Sequence, residues 1–148
     1  RGLGDVYKRQ AMKTRHPELM FVGYGDTDEW AHAGNYRLYL EAANDVDSFI
    51  RELWEQAQSD PFYKDKTTFI ITCDHGRGST TATDWRDHYY KVPNSNQTWL
   101  MAFGKGIPAK GELTAGEYHN NQVAATIAAL LGIDFTPSHE GAGKKIEF

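Results

Sequence analysis

Residues 67–73, TTFIITC, constrain the fold of this chain more than any other stretch. The run is rich in β-branched side chains and apolar at successive positions, so both faces of the strand it forms need covering, as in a central parallel strand. Two further apolar runs predict buried strands: 19–23 (LMFVG), after the breaker His16-Pro17, and 98–103 (TWLMAF), ended by Gly104-Lys105-Gly106. Helical periods lie between and beyond them. Ala42, Val46, Phe49, Ile50, Leu53 and Ala57 predict one apolar face on a helix over 35–58, stopped by Asp60-Pro61. Val123, Ile127, Leu130 and Leu131 predict the inward face of a helix over 120–131, with Gly132 at its C′ position. Residues 25–34 read as a loop or one helical turn, 76–97 as a polar loop, and the tail from 134 onward as polar, Gly-rich surface. Strand, helix, strand, strand, helix with long loops after the strands predicts an α/β sheet. One such unit leaves a sheet edge unpaired, which further strands upstream would cover.

At 148 residues, 24% charged and 40% apolar, the chain is one domain's worth with an ordinary globular balance. The formal charge is −4, and no Lys/Arg cluster is dense enough to predict a nucleic-acid surface. No apolar run approaches the roughly 20 residues that span a bilayer, so no membrane segment is expected. Cys73 is the single cysteine, which excludes a disulfide framework. Residues 1–10, RGLGDVYKRQ, show no period, cap or apolar face, and GDVYKRQ resembles a translated sequencing-adapter read. They are set aside as a fusion scar, with an ordinary flexible N-terminus as the plain alternative. Residues 11–148 are then expected to be the C-terminal part of a longer domain.

The chemistry-bearing residues follow the strands. Asp28 and His32, in DEWAH, stand at i and i+4, which puts both on one face of a helical turn. Asp26 is the alternative carboxylate, and an N-capping Asp with a surface His is the plain structural reading of the pair. Asp74-His75-Gly76 directly follows TTFIITC. A charge at the end of a buried strand is costly unless paired or metal-bound, and Gly76 lets the backbone turn tightly there. The plain alternative is an Asp capping the turn, with His75 bonded to it. His88 lies in the loop before TWLMAF, and His119 opens the last helix. His16 and His139 have no partner pattern and read as surface. Arg77 and Arg86 lie in the same loop as His88, where a guanidinium can hold an oxyanion bidentately or simply be solvated. Trp30, Tyr36 and Trp85 line up beside the loops as pocket walls or as packing.

The order D-x-x-x-H after a strand, then strand-DHG, then a His before the next strand, resembles the alkaline phosphatase superfamily. That group includes alkaline phosphatases, nucleotide pyrophosphatase/phosphodiesterases, sulfatases and cofactor-independent phosphoglycerate mutases. FVGYGDTDEWAH, TTFIITCDHGRG and QVAATIAALLG carry the resemblance, which covers roughly residues 19–132. It implies a partial alkaline-phosphatase-like α/β sheet with flanking helices, a truncated three-layer domain. It implies two divalent metal ions, zinc first and manganese as the alternative. By position, Asp28, His32 and His88 resemble the ligands of the first ion, with His119 the alternative third ligand. Asp74 and His75 resemble ligands of the second. The implied activity is metal-dependent hydrolysis of a small-molecule phosphate mono- or diester or a sulfate ester, with Arg77 and Arg86 as substrate contacts. A phosphomutase of the same group, or a non-catalytic metal-binding domain, is the alternative.

Two elements of the family pattern have no match: an early Asp ligand and the Ser or Thr nucleophile. The chain alone is therefore expected to be inactive. Cys73, outside any sulfatase-type motif, reads as inert core. A structural metal site is closed by four protein ligands, and the three of the first set favour an open one.

Overall fold

The computed structural model describes residues 3–135 and 140–148. Its elements run α1 (Leu3–Arg15), α2 (Asp26–His32), α3 (Tyr36–Ser59), β1 (Thr68–Thr72), β2 (Leu100–Gly104) and α4 (Val123–Leu130). Single 3-10 turns stand at Asp84–Arg86 and Asn120–Gln122. The elements are helices and one small two-stranded sheet, an α/β composition. The chain divides into two compact units: residues 1–67 with 75–97, and residues 68–74 with 98–148.

The first unit is helical. Asn35 caps α3 by accepting from the Leu38 amide at 3.1 Å, and Ser59 ends the helix just before Asp60-Pro61. The expected apolar face is the one turned inward: Ala42, Leu53 and Ala57 are buried, and Val46, Phe49 and Ile50 half-buried. Residues 25–34 supply the short helix α2, with Asp26, Asp28 and Glu29 in its first turn, where the helix dipole favours negative charge. Ala31 of α2 is fully buried, and α2 packs along α3. Gly34 ends α2 in the left-handed region (φ 69°), which a β-carbon would disfavour. Of the residues set aside above, 3–10 lie in α1, whose Arg9 pairs with Glu52 of α3 at 2.7 Å. His16 is not simply surface: it is half-buried, 3.1 Å from Asp60, with its ring tilted against that of Phe62 at 4.7 Å between centroids.

Residues 19–23 do not form the expected buried strand. They carry no ladder, and Leu19 and Phe21 are exposed, Phe21 at 94%. An apolar run becomes a strand only when a neighbour satisfies its amides and carbonyls, and among the described residues the one sheet is β1 with β2.

The second unit holds that sheet. β1 and β2 pair antiparallel, Thr68 opposite Gly104 and Thr72 opposite Leu100, rather than lying in a parallel sheet. Both are mostly half-buried, short of the two-sided burial their composition predicts. Phe69 and Phe103 stack across the ladder at 5.2 Å between ring centroids. α4 ends in a Schellman motif: the Gly132 amide donates to Ala129 and that of Ile133 to Ala128, with Gly132 at φ 69°. Its inward face differs from expectation. Ala125 and Thr126 are buried, whereas Leu130 and Leu131 are exposed. The tail explains the difference, since the Ile146 amide donates to the Thr126 hydroxyl at 2.9 Å and Ile146 is itself buried. The tail is thus not all surface. His139 lies outside the described residues.

Among the described residues no helix is long and apolar enough to cross a membrane.

Candidate metal centre

Two segments of the first unit build the site. α2 carries Asp28 and His32 one turn apart, and their side chains meet at 3.4 Å between Asp28 Oδ1 and His32 Nε2. Asp26 is exposed, and Asp28 is the carboxylate that faces the histidines. The loop 75–97 brings His75, Arg77 and His88. Although irregular, this loop is pinned by its own hydrogen bonds. The Gly76 amide donates to the Ser95 carbonyl at 2.8 Å, and the Ser95 hydroxyl to the Tyr89 carbonyl at 2.7 Å. Asp84 Oδ2 accepts from the Thr80 amide, the Thr80 hydroxyl and the Thr81 amide at 2.7–3.1 Å. Those bonds hold the Asp84 carboxyl below its ordinary range: the Thr80 hydroxyl contributes most and burial opposes.

Gly76 is needed for a reason other than the one expected. Its φ is not left-handed; instead a β-carbon there would stand 2.2 Å from the Gln97 carbonyl oxygen and 2.8 Å from that of Asn94. Only glycine allows the backbone this close, and the approach sets the position of His75 beside it.

The ligand atoms converge on Asp28 Oδ1. His32 Nε2 and His88 Nε2 each lie 3.4 Å from it and 3.0 Å from each other. His75 Nε2 lies 3.6 Å from the same oxygen. Asp28, His75 and His88 also offer ligand atoms that all fall within 4.8 Å of one another. Tetrahedral bonds of about 2.1 Å set ligand atoms roughly 3.4 Å apart, so this donor set has the spacing and the nitrogen–oxygen chemistry that zinc-type ions take. His75 Nδ1 lies 2.9 Å from the Gly76 carbonyl. A carbonyl only accepts, so Nδ1 bears the proton and Nε2 is the nitrogen turned toward Asp28.

Charge in the cluster is balanced through Arg77. Burial alone would raise the Asp28 carboxyl, but the hydrogen bond and charge of Arg77, aided by His32 and His88, hold it below its usual range. Burial, and then the neighbouring His75, push the His88 imidazole below its ordinary value against the opposing pull of Asp28. Both directions favour the forms that bind cations, carboxylate and neutral imidazole.

The remaining sequence candidates stand as follows. Arg86 lies against Gly34, its guanidinium carbon 2.9 Å from where a β-carbon would be, and 5.7 Å from the Trp85 ring centroid. Trp85 in turn meets Tyr36 edge-on at 5.1 Å, and Trp30 is partly exposed. Asp74 belongs to the second unit and is exposed, and its carbonyl accepts from Asn120 at 3.2 Å. His119 also belongs to that unit, 3.3 Å from Glu117 and largely exposed. Cys73 is half-buried rather than core. Sequence reasoning missed Asp87, whose Oδ1 lies 3.9 Å from His32 Nδ1. A carboxylate next to a candidate ligand histidine was the available signal. It also missed the pairing of Arg77 with Asp28.

One carboxylate and three imidazoles gathered at a helix and a loop are a donor set of the kind that metalloenzymes use. The chain belongs to the Metalloenzyme superfamily, whose family model matches residues 5–134. It is 31% identical over 124 residues to GPI ethanolamine phosphate transferase 1 of Emericella nidulans, covering 70% of this chain and 13% of that protein. The mouse transferase of the same name is 29% identical, over 74% of this chain and 13% of its own length. A 2,3-bisphosphoglycerate-independent phosphoglycerate mutase of Legionella pneumophila is 22% identical, over 90% of this chain and 24% of that protein. The chain thus spans 13% of those transferases and 24% of that mutase. No solved structure matches it.

Proposed function

We propose that this chain carries metal-binding residues of an enzyme acting on phosphate esters. The observation that carries the reading is the triangle of Asp28 Oδ1, His32 Nε2 and His88 Nε2, with edges of 3.4, 3.4 and 3.0 Å. A divalent ion held there would polarise a phosphoryl oxygen and lower the pKa of a bound water or alcohol. Zinc suits the donors, and manganese is the alternative. In this reading Asp28 offsets the cation's charge, the Gly76 carbonyl fixes the His75 tautomer, and Arg86 is the guanidinium proposed for the substrate's oxyanion. Asp74 is the remaining carboxylate for a second ion, beside His75 in sequence. The nucleophile is not among the residues assigned, so the purified chain is expected to be inactive on its own.

Hydrolysis of a phosphate or sulfate ester is one outcome of such a site. The names of the relatives, a phosphate transferase and a mutase, favour delivery of the phosphate-bearing group to an acceptor hydroxyl instead. The test is metal uptake by the whole chain, followed by inorganic phosphate binding to the cobalt-substituted protein. A cobalt spectrum that responds to phosphate supports an open, substrate-facing site, and failure to take up metal at all overturns the reading.

A second reading rests on His75. With its Nε2 at 3.6 Å from Asp28 Oδ1, His75 is a fourth candidate donor beside the same oxygen, and four protein ligands are the number that closes a structural site. A tetrahedral cobalt spectrum indifferent to phosphate would select this reading.

A further inference from the structure

Arg77 was expected to face substrate, yet its guanidinium is bound to Asp28 Oδ1. This is the same oxygen that lies 3.4–3.6 Å from the Nε2 atoms of His32, His75 and His88. The pair is not a loose surface contact, since the Arg77 side chain is only 14% exposed. Resting on the reading of this cluster as a metal centre, we infer that Arg77 is a positioning residue that holds the Asp28 carboxylate and must leave it for a cation to enter.

The argument is one of charge and stereochemistry. A guanidinium donates only and does not lose its proton in proteins, so Arg77 can neither ligate a metal nor become neutral beside one. A carboxylate oxygen that accepts from Arg77 has its approach to the three imidazoles partly occupied. A divalent cation at the same oxygen would stand a few ångströms from a fixed positive charge, and that repulsion is only partly screened at a half-buried site. The pairing stabilises Asp28 in return, because a carboxylate ringed by imidazoles gains from the fixed positive charge of a guanidinium. The guanidinium also has a resting place when released. Arg77 already lies 5.9 Å from the Tyr39 ring centroid and donates to the Arg86 carbonyl at 3.4 Å, so a small swing keeps it over an aromatic face.

The test is calorimetric titration of the whole chain with Zn²⁺ and, separately, Mn²⁺. Arg77→Met should bind metal about tenfold or more tighter than the natural protein. Arg77→Lys keeps the charge without the planar fork and should fall between the two. Arg37→Met removes an equal charge from the Glu41 pair on α3 and should leave affinity unchanged. A gain in affinity is an effect that damage to the fold does not produce. Should Arg77→Met fail to fold, Arg77→Lys decides by the same criterion. Affinity equal to or weaker than the natural protein's overturns the inference while leaving the metal centre standing. If neither the natural protein nor an Arg77 variant binds metal, the metal-centre reading itself falls, and this inference with it.

Discussion

His32 Nε2 and His88 Nε2 stand 3.0 Å apart although 56 positions separate the residues in the chain. One rides on the last turn of α2 and the other on a loop that folds back across it. With Asp28 Oδ1 they enclose a point at ligand distance from all three.

Substituting His32 or His88 by Ala should therefore weaken Zn²⁺ binding by about tenfold or more, as loss of a ligand or its orienting partner commonly does. Metal content after dialysis, measured by atomic emission, checks this. Unchanged content in both variants would remove these residues from the ligand set. His119→Ala, in the second unit, serves as the comparison that decides which His completes the site.

Gly76→Ala places a β-carbon 2.2 Å from the Gln97 carbonyl oxygen. The backbone has to shift, at a cost of about 1–3 kcal/mol, the size of other overpacking changes. Thermal unfolding should show a lower midpoint, and metal affinity should fall with it because His75 moves too. A variant as stable as the natural protein would mean the loop yields without strain.

Asn120 ties the ends of β1 and β2 within the second unit. Its Nδ2 donates to the Cys73 and Asp74 carbonyls at 2.9 and 3.2 Å, and its Oδ1 accepts from the Thr98 hydroxyl at 3.3 Å. Asn120→Ala should destabilise by about 1–2 kcal/mol, since these bonds are exposed and each contributes modestly. The urea midpoint is the readout, and a change within error would show that water replaces the amide fully.

Asp60 gives a pH dependence of known sign. The Phe62 amide, chiefly, and then His16 hold its carboxyl below the ordinary value, against opposing burial. The folded protein then binds fewer protons at this group than the unfolded chain does. The stabilisation is complete above the unfolded value of about 3.9 and is lost as pH falls through the folded one. Asp60→Asn retains an acceptor for Phe62 and removes the charge. Its stability deficit, followed by urea unfolding between mildly acidic and strongly acidic pH, should shrink as pH falls. A deficit independent of pH would show that the charge on Asp60 plays no part.

Local pattern was enough for α3, for its Asp60-Pro61 stop and for the left-handed Gly132 at the end of α4, because each depends on neighbours three or four positions away. The same holds for Asp28 and His32, one helical turn apart. The resemblance of the ordered motifs was enough for the family. Pairing was not legible. The composition of residues 67–73 calls for a covered strand without naming its partner, and the partner is β2, antiparallel. Residues 19–23 have equal apolar character and no ladder, since a strand's hydrogen bonds depend on what lies beside it in space. Nor could spacing decide that Ile146 covers Thr126 in place of Leu130 and Leu131, or that Arg77 turns onto Asp28. Sequence alone determined which residues can carry charge, bind metal or continue a helix, because those are properties of the residue and its near neighbours. Only the tertiary structure decided that His75 and His88 meet Asp28 on one oxygen, because that contact depends on how distant segments close over one another.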